Sequence, residues 1–316
     1  MKKKAAPDLV PLHHFWQPRY WWMWVLIALV RLLTLLPFRL QMWCGRAMGR
    51  VGHFFIRGRR EIAVANIRIC FPELDDAEQR DLVKRHFESL GMGVFELAMS
   101  WWASDKRMNK LISLSGVEHI QAAQADGRGA VILSGHFTGV EFTGRVVIQR
   151  VPNVCALYRP TKNKLADQFL RRGRMRASAD IVPKDDMRRM IRLLRDGGSI
   201  WYAPDQKYSR KYHEIVPFFG EPAMTNAALT QIARISKAAV VPYIPRRRAD
   251  FSGYDAQFLP PLENFPTDDP AADATRVSSL LEEHIRVAPE QYLWIHRRFS
   301  GRPDGFPDPY SHPATQ

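Results

Sequence analysis

Cysteine is scarce in this chain: there are three in 316 residues, Cys44, Cys70 and Cys155, far apart and with no CxxC pair. An odd set of isolated thiols supplies neither a disulfide framework nor a zinc site, and it suits a reducing compartment. The sequence also has no HExxH, GxSxG, Walker A or GxGxxG string, so the usual residues of a zinc protease, a serine hydrolase or a nucleotide-binding loop are missing. No metal and no cofactor are expected. There is no internal repeat. With 46% hydrophobic and 25% charged residues, the composition is that of a globular protein with ample apolar material for a core.

Acid is nearly absent from the first sixty residues. Between Met1 and Arg60 eleven Lys or Arg face a single acid, Asp8, so +10 of the formal +14 sits there. Within that region Trp21 to Phe38 reads WWMWVLIALVRLLTLLPF, an apolar run of 18 residues. As one helix it would reach about 27 Å, close to the hydrocarbon thickness of a bilayer. Trp16, Tyr20, Trp21, Trp22 and Trp24 crowd one end, as interfacial rings do. Arg31 would cost roughly 2.5 to 3.5 kcal/mol deep in a spanning helix. Three arrangements therefore stay open: a spanning helix, which the pattern favours, an in-plane amphipathic anchor, and a buried helix of a soluble domain.

No small-residue cleavage site follows the run, so it reads as a retained anchor and not as a signal peptide. The basic residues on its carboxyl side outnumber those before it, which places the main domain on the cytoplasmic side of a membrane with anionic lipid as partner. The expected division is a basic segment and anchor over 1–45 and one main domain over 46–316. Only +4 remains beyond Arg60, so a membrane accounts for the charge better than nucleic acid does, and no nucleic acid is expected.

After the anchor, Glu61 to Trp102 reads as helical, with a stop at Phe71-Pro72 and a restart where Asp75 and Glu78 have capping-box spacing. From about Leu111 short β-rich runs alternate with amphipathic stretches, the pattern of an α/β fold with a central mixed sheet flanked by helices. The strands are expected at Ala130–Ser134, Asn153–Tyr158, Ala179–Pro183, Ser199–Ala203, Ala239–Ile244 and Tyr254–Leu259. The helices between and after them are expected at Gly139–Arg150, Lys164–Arg174, Asp185–Arg195, Asn226–Ser236 and near Ala272–Val287. The tail from Gly301, rich in Pro, Gly and Asp, reads as extended.

The most informative stretch runs from Gly129 to Glu141, GAVILSGHFTGVE: a buried strand, a glycine, a histidine, a short break and a helix. Ligands bind at the carboxyl ends of strands in such sheets. Five helical steps of 100° would leave His136 and Glu141 about 140° apart. They meet only if His136 lies on the loop and Glu141 in the first turn, which Gly135 and Gly139 permit. The expected unit is a general-base dyad, with the Glu141 carboxylate holding the imidazole tautomer. The rival reading is a hydrogen-bonded structural histidine.

Other candidates follow strand ends. Arg159 precedes Pro160, which biases it to an extended form and either aims it at a phosphate or a developing oxyanion or leaves it a solvated surface side chain. Arg171, Arg172, Arg174 and Arg176 make a basic cluster, either a ligand site or a solvated face. Asp205 follows Pro204 and either orients an arginine or a substrate hydroxyl, or forms a turn. Glu96 reads as structural. Ser134 and Cys155 have no adjacent activating partner.

HFTGVE resembles the HxxxxD/E motif of glycerolipid and lipid A acyltransferases. Asn66-Ile-Arg-Ile-Cys-Phe-Pro-Glu73, His86-Phe-Glu-Ser-Leu-Gly-Met-Gly93, Tyr158-Arg-Pro160, Trp201-Tyr-Ala-Pro-Asp205, Val216-Pro-Phe-Phe219, Val241-Pro-Tyr-Ile-Pro-Arg-Arg247 and Pro289-Glu-Gln-Tyr-Leu-Trp-Ile-His-Arg-Arg-Phe299 resemble, in order and spacing, the lipid A biosynthesis lauroyltransferase family of Gram-negative inner membranes. The likeness runs from near Arg19 to about Pro307. One departure is Asp205-Gln-Lys-Tyr-Ser, where that family carries a histidine after the aspartate. The resemblance implies transfer of an acyl chain, lauroyl first among the candidates, from acyl carrier protein to a hydroxyacyl chain of a Kdo-bearing lipid A precursor. It also singles out Arg174 within its cluster, while the lack of an activating partner next to Ser134 or Cys155 favours direct transfer over an acyl-enzyme. The rival acceptors are glycerol phosphate and a phosphatidylinositol mannoside.

Overall fold

The computed structural model describes residues 9–158, 161, 163–177, 180–183, 186–208 and 212–311, with the backbone alone at 176, 177 and 180. The apolar run near the amino terminus does not form one helix. It makes α1 (Trp21–Leu33) and enters α2 (Phe38–Phe55) after a break at Pro37. Proline has no N–H to continue the ladder and disfavours helix in the residue before it. The carbonyls freed at the break are taken up by side chains: Gln41 Nε2 donates to Thr34 O at 2.9 Å and Leu36 O at 2.7 Å, and Arg107 reaches both.

The spanning helix expected here is therefore corrected. Thirteen residues rise about 20 Å, against roughly 30 Å of hydrocarbon, and among the described residues no helix is long and apolar enough to cross a membrane. The boundary expected at 45 falls inside α2, and Phe15 and Met23 pack against Leu165 of a later helix.

Helices α3 (Arg57–Cys70) and α4 (Asp76–Trp102) complete the helical layer. The capping box at the start of α4 is present, with Asp75 Oδ1 accepting from the backbone of Ala77 and Glu78 and Glu78 Oε2 accepting from Asp75 N. α2 crosses α4 at backbone contact through three glycines. A Cβ on Gly49 would lie 2.1 Å from Phe87 O, and one on Gly91 would lie 2.1 Å from Gly45 O.

α5 (Asp105–Leu111) leads into β1 (Ile112–Ser115), α6 (Val117–Ala125), β2 (Ala130–Leu133), α7 (Val140–Arg150), β3 (Val154–Tyr158), α8 (Lys164–Ala177), β4 (Asp180–Pro183), α9 (Met187–Arg195) and β5 (Ser199–Tyr202). A hairpin of β6 (His213–Phe218) and β7 (Glu221–Asn226) follows, then α10 (Ala228–Ser236), β8 (Ala239–Arg247), β9 (Tyr254–Phe258) and α11 (Pro270–Val287). Seven strands form one mixed sheet in the order β1-β9-β8-β2-β5-β3-β4. Its pairs are parallel except β8 with β9.

The middle strand, β2, is buried throughout, as a parallel strand covered on both faces must be. Its alternate side chains serve the two cores. Val131 and Leu133 face the core that holds Ile200, Leu229 and Leu281, while Ala130 and Ile132 face the one that holds Phe142, Val146 and Met99.

The six strands expected from sequence lie in this sheet, although Ala179, the expected start of β4, is outside the described residues. β1 and the hairpin are additions. β1 is a four-residue edge strand, too short to show periodicity. Pro217 and Pro222 sit opposite each other in the hairpin and disguise it, because proline is excluded from the interior of a larger sheet.

Candidate active site

β2 and β5 are parallel neighbours in register, with Leu133 opposite Tyr202. Three residues beyond each partner stand His136 and Asp205, so the sheet itself delivers the two side chains to one point at its carboxyl edge. His136 Nδ1 lies 2.6 Å from Asp205 Oδ1, and the backbone N–H of His136 donates to Oδ2 at 2.9 Å. The Asp205 carboxylate has no solvent exposure, whereas the imidazole is 37% exposed. The histidine thus faces the mouth and the aspartate lies behind it.

The electrostatics follow from that contact. Burial pushes the Asp205 carboxyl up, but the His136 charge and its two hydrogen bonds outweigh this and hold it below the ordinary carboxylate value. Burial likewise pulls the His136 imidazole down, and the charge and hydrogen bond of Asp205, helped by the charge of Glu141, carry it above 6.5. An ionised Asp205 accepts only. Nδ1 therefore carries the proton, and Nε2 of the neutral ring is left as the acceptor.

Glu141 sits where expected, in the first turn of α7, where the helix N-terminus favours a carboxylate. Its partner is not the one expected. The carboxylate pairs with the guanidinium of Arg174 from α8, which also donates to Leu157 O at 3.0 Å. The geometry thus corrects the expected orienting contact: Asp205 holds the imidazole at Nδ1, and Glu141 reaches His136 through its charge. The same contact gives Asp205 a role different from orienting an arginine or a substrate.

Arg159 lies outside the described residues, as does the side chain of Arg176. Arg171 stacks over the Tyr158 ring and pairs with Asp167 at 4.0 Å, and Arg172 Nη2 donates to Val10 O at 3.0 Å. Ser134 and Cys155 are both buried. Among the described residues no group of three or more His, Cys, Asp or Glu suits a metal ion.

The segment carrying His136 is pinned from the carboxyl-terminal part of the chain. Leu293 N donates to His136 O at 3.0 Å, Thr138 N donates to Gln291 O at 2.8 Å, and Phe137 bridges Tyr292. Asn66 Nδ2 in turn holds Trp294 O at 2.6 Å and His296 O at 2.7 Å. These motifs were legible as motifs, but their distance in sequence gave no signal that they brace this turn. A cavity of about 600 Å³ opens between α1, the end of α4 and α8, lined by Trp24, Ile27, Trp101, Trp102, Phe169 and Gly173 among others, with Gly173 adjacent in sequence to Arg174.

A buried aspartate behind a half-exposed histidine, at the carboxyl edge of an α/β sheet, has the make-up of an enzyme site able to take a proton. Comparison with known proteins gives the class as acyltransferase. The chain belongs to the bacterial lipid A biosynthesis acyltransferase family, whose model matches residues 12–300. It is 37% identical over 294 residues to the lipid A biosynthesis lauroyltransferase of Escherichia coli (strain K12), covering 93% of this chain and 96% of that protein. It is 36% identical to the palmitoleoyltransferase of the same organism, covering 92% and 95% of the two chains. A solved acyltransferase, PlsC from Thermotoga maritima, covers 76% of this chain and 98% of its own at 12% identity and a TM-score of 0.35, a likeness too slight to bear on fold or mechanism.

Proposed function

We propose that the chain transfers a lauroyl group from acyl carrier protein to a hydroxyl on a hydroxyacyl chain of a Kdo-bearing lipid A precursor, with His136 as general base. The observation that carries this reading is the contact between His136 Nδ1 and Asp205 Oδ1 at 2.6 Å. It leaves Nε2 free to take the proton of the acceptor hydroxyl as that oxygen attacks the thioester carbonyl carbon. The tetrahedral intermediate collapses, the carbon–sulfur bond breaks, and the departing thiolate receives the proton from the imidazolium. Asp205 and the nearby charge of Glu141 stabilise that imidazolium. Arg174 holds Glu141 in place.

The choice of a lauroyl chain is supported by the 37% identity to a lauroyltransferase. The cavity beside α8 suits such a chain, since its walls are largely aromatic and aliphatic, with Arg31 and Arg172 also lining it. A Cβ on Gly173 would fall 2.2 Å from the Trp101 ring, so Trp101 can pack in this position against α8 only with glycine there.

The proposed location is the cytoplasmic face of the inner membrane, with the chain lying on the lipid and not across it. α2 buries Met42, Gly45 and Gly49 against the layer and exposes Trp43, Val51, Phe54 and Phe55 on its other side. α1 adds Trp22 and Val25, 61% and 68% exposed. Apolar surface on this scale, mixed with Arg39, Arg50 and Arg57, fits an anionic lipid interface.

The test is incubation of the purified protein with lauroyl-, myristoyl- and palmitoleoyl-acyl carrier protein and a tetra-acylated, Kdo-bearing lipid A precursor, read by mass spectrometry. Addition of one lauroyl chain is expected. Acylation of glycerol phosphate with none of the precursor would overturn the assignment.

A further inference from the structure

Two ionised side chains lie deep in the molecule and take no part in the proposed reaction. Glu96 of α4 and Arg247 at the end of β8 are 1% and 2% exposed and form an ion pair. Arg247 Nε donates to Glu96 Oε1 at 2.6 Å and to Tyr254 Oη at 2.9 Å. Nη1 donates to Ser89 Oγ at 3.0 Å, and Nη2, which also lies against Glu96 Oε1, donates to Thr138 Oγ1 at 3.3 Å. The two hydroxyl oxygens are themselves 2.9 Å apart.

A dry ion pair is a poor device for stability, because removing both charges from water offsets their attraction. This pair is also incompletely satisfied, since Glu96 Oε2 is buried without a hydrogen-bond partner. The end point of the network gives the better account of it. Thr138 lies two residues after His136 and three before Glu141, in the turn that sets one against the other. Arg247 holds that residue twice, directly at the hydroxyl and indirectly through Gln291. The Gln291 side chain accepts from Arg247 N at 2.7 Å and donates to Arg247 O at 3.1 Å, while the main-chain carbonyl of Gln291 accepts from Thr138 N at 2.8 Å.

We propose that Arg247, with Glu96 as its counter-ion, is a positioning residue for acyl transfer: through the Thr138 hydroxyl it fixes the span of chain that places the His136 imidazole relative to the Glu141 carboxylate. The inference rests on the reading of His136 as base. It assigns one task to three sequence motifs far apart in the chain, those of Ser89, Arg247 and Gln291. A displacement of about 1 Å in a reacting group can cost on the order of 10²-fold in rate, so a small loosening of the turn is enough to register.

The experiment compares Thr138→Val, Thr138→Ser, Arg247→Lys and the double variant Thr138→Val with Arg247→Lys, alongside His136→Ala. Each is assayed for kcat and KM in acyl transfer and for thermal unfolding. Thr138→Val is expected to lower kcat by about 10- to 100-fold with KM nearly unchanged. Thr138→Ser, which keeps the hydroxyl, is expected to restore most of it. In the double variant the two losses are expected not to add, as for residues acting through one contact. A Thr138→Val protein with wild-type kcat, in a series where His136→Ala is inactive, overturns the positioning role and leaves the base assignment intact. Additive losses in the double variant overturn it too. A His136→Ala protein with full activity removes the reading on which the proposal stands.

Discussion

Glu141 is clasped by Arg174, 33 residues further along the chain, and not by the histidine five residues before it. The imidazole of His136 is held by Asp205, so the two carboxylates near it do different work. One is buried and fixes a proton on Nδ1. The other is over one-third exposed and adds negative charge close to the ring.

Replacing Glu141 by Gln removes that charge and unbinds Arg174. The expected result is a fall in kcat of about 10- to 100-fold, below the loss at a general base itself. Arg174→Lys is expected to lower it less, because a lysine keeps the charge but not the paired hydrogen bonds of a guanidinium. Steady-state kinetics of both variants check this, and an Arg174→Lys loss larger than that of Glu141→Gln would assign the arginine a task of its own.

Asp205→Asn leaves the shape nearly unchanged and removes the charge that raises the His136 pKa. The base works as neutral imidazole, so the wild-type rate should rise with pH through a midpoint above the ordinary 6.5. In the variant that midpoint should move to lower pH, and kcat should fall by about 10²- to 10⁴-fold as the tautomer is no longer enforced. The pH dependence of kcat/KM measures both. An unmoved midpoint would separate Asp205 from the titrating group.

Much of this site was legible in the sequence, and the reason it was incomplete is specific. The strand, the glycines and the helix start around His136 are local features, and each shows in the residues from Gly129 to Glu141. The partner of His136 lies three residues past β5, 69 residues away. Only the register of two parallel strands, Leu133 with Tyr202, says that the third residue past each will meet. Without that register Glu141 is the natural carboxylate to choose. The apolar run from Trp21 failed for the opposite reason. Its length suited a membrane span, but Pro37 sits within the last two residues of the run, and the caps from Gln41 and Arg107 become visible only in three dimensions.

If the outer faces of α1 and α2 lie on lipid, substituting Trp22, Trp43 and Phe54 together by Ser should release the protein from vesicles containing anionic lipid. Each of these residues is more than 60% exposed, so folding should be little affected. Sedimentation with vesicles, accompanied by thermal unfolding, reads both quantities. Undiminished binding by the folded triple variant would place the lipid contact elsewhere.

The glycine contact between α2 and α4 predicts a stability effect independent of chemistry. Gly91→Val would force its side chain onto the Gly45 carbonyl, and overpacking of this kind costs about 1 to 3 kcal/mol or more. Gly58, with nothing within 4 Å of a Cβ, is the control: its replacement by Ala should be neutral or slightly stabilising within a helix. Denaturant unfolding of the two variants checks the contrast, and equal stabilities would mean that α2 can move away from α4 freely.

Everything in the proposed reaction depends on the imidazole of His136 taking the proton of the attacking hydroxyl. The most direct measurement is the single-turnover rate of lauroyl transfer from acyl carrier protein to the lipid A precursor by His136→Ala and wild type, with the thermal midpoint of each. A rate lower by about 10²- to 10⁴-fold is expected in a protein that still folds. A rate within about twofold of wild type, from a folded variant, would contradict it.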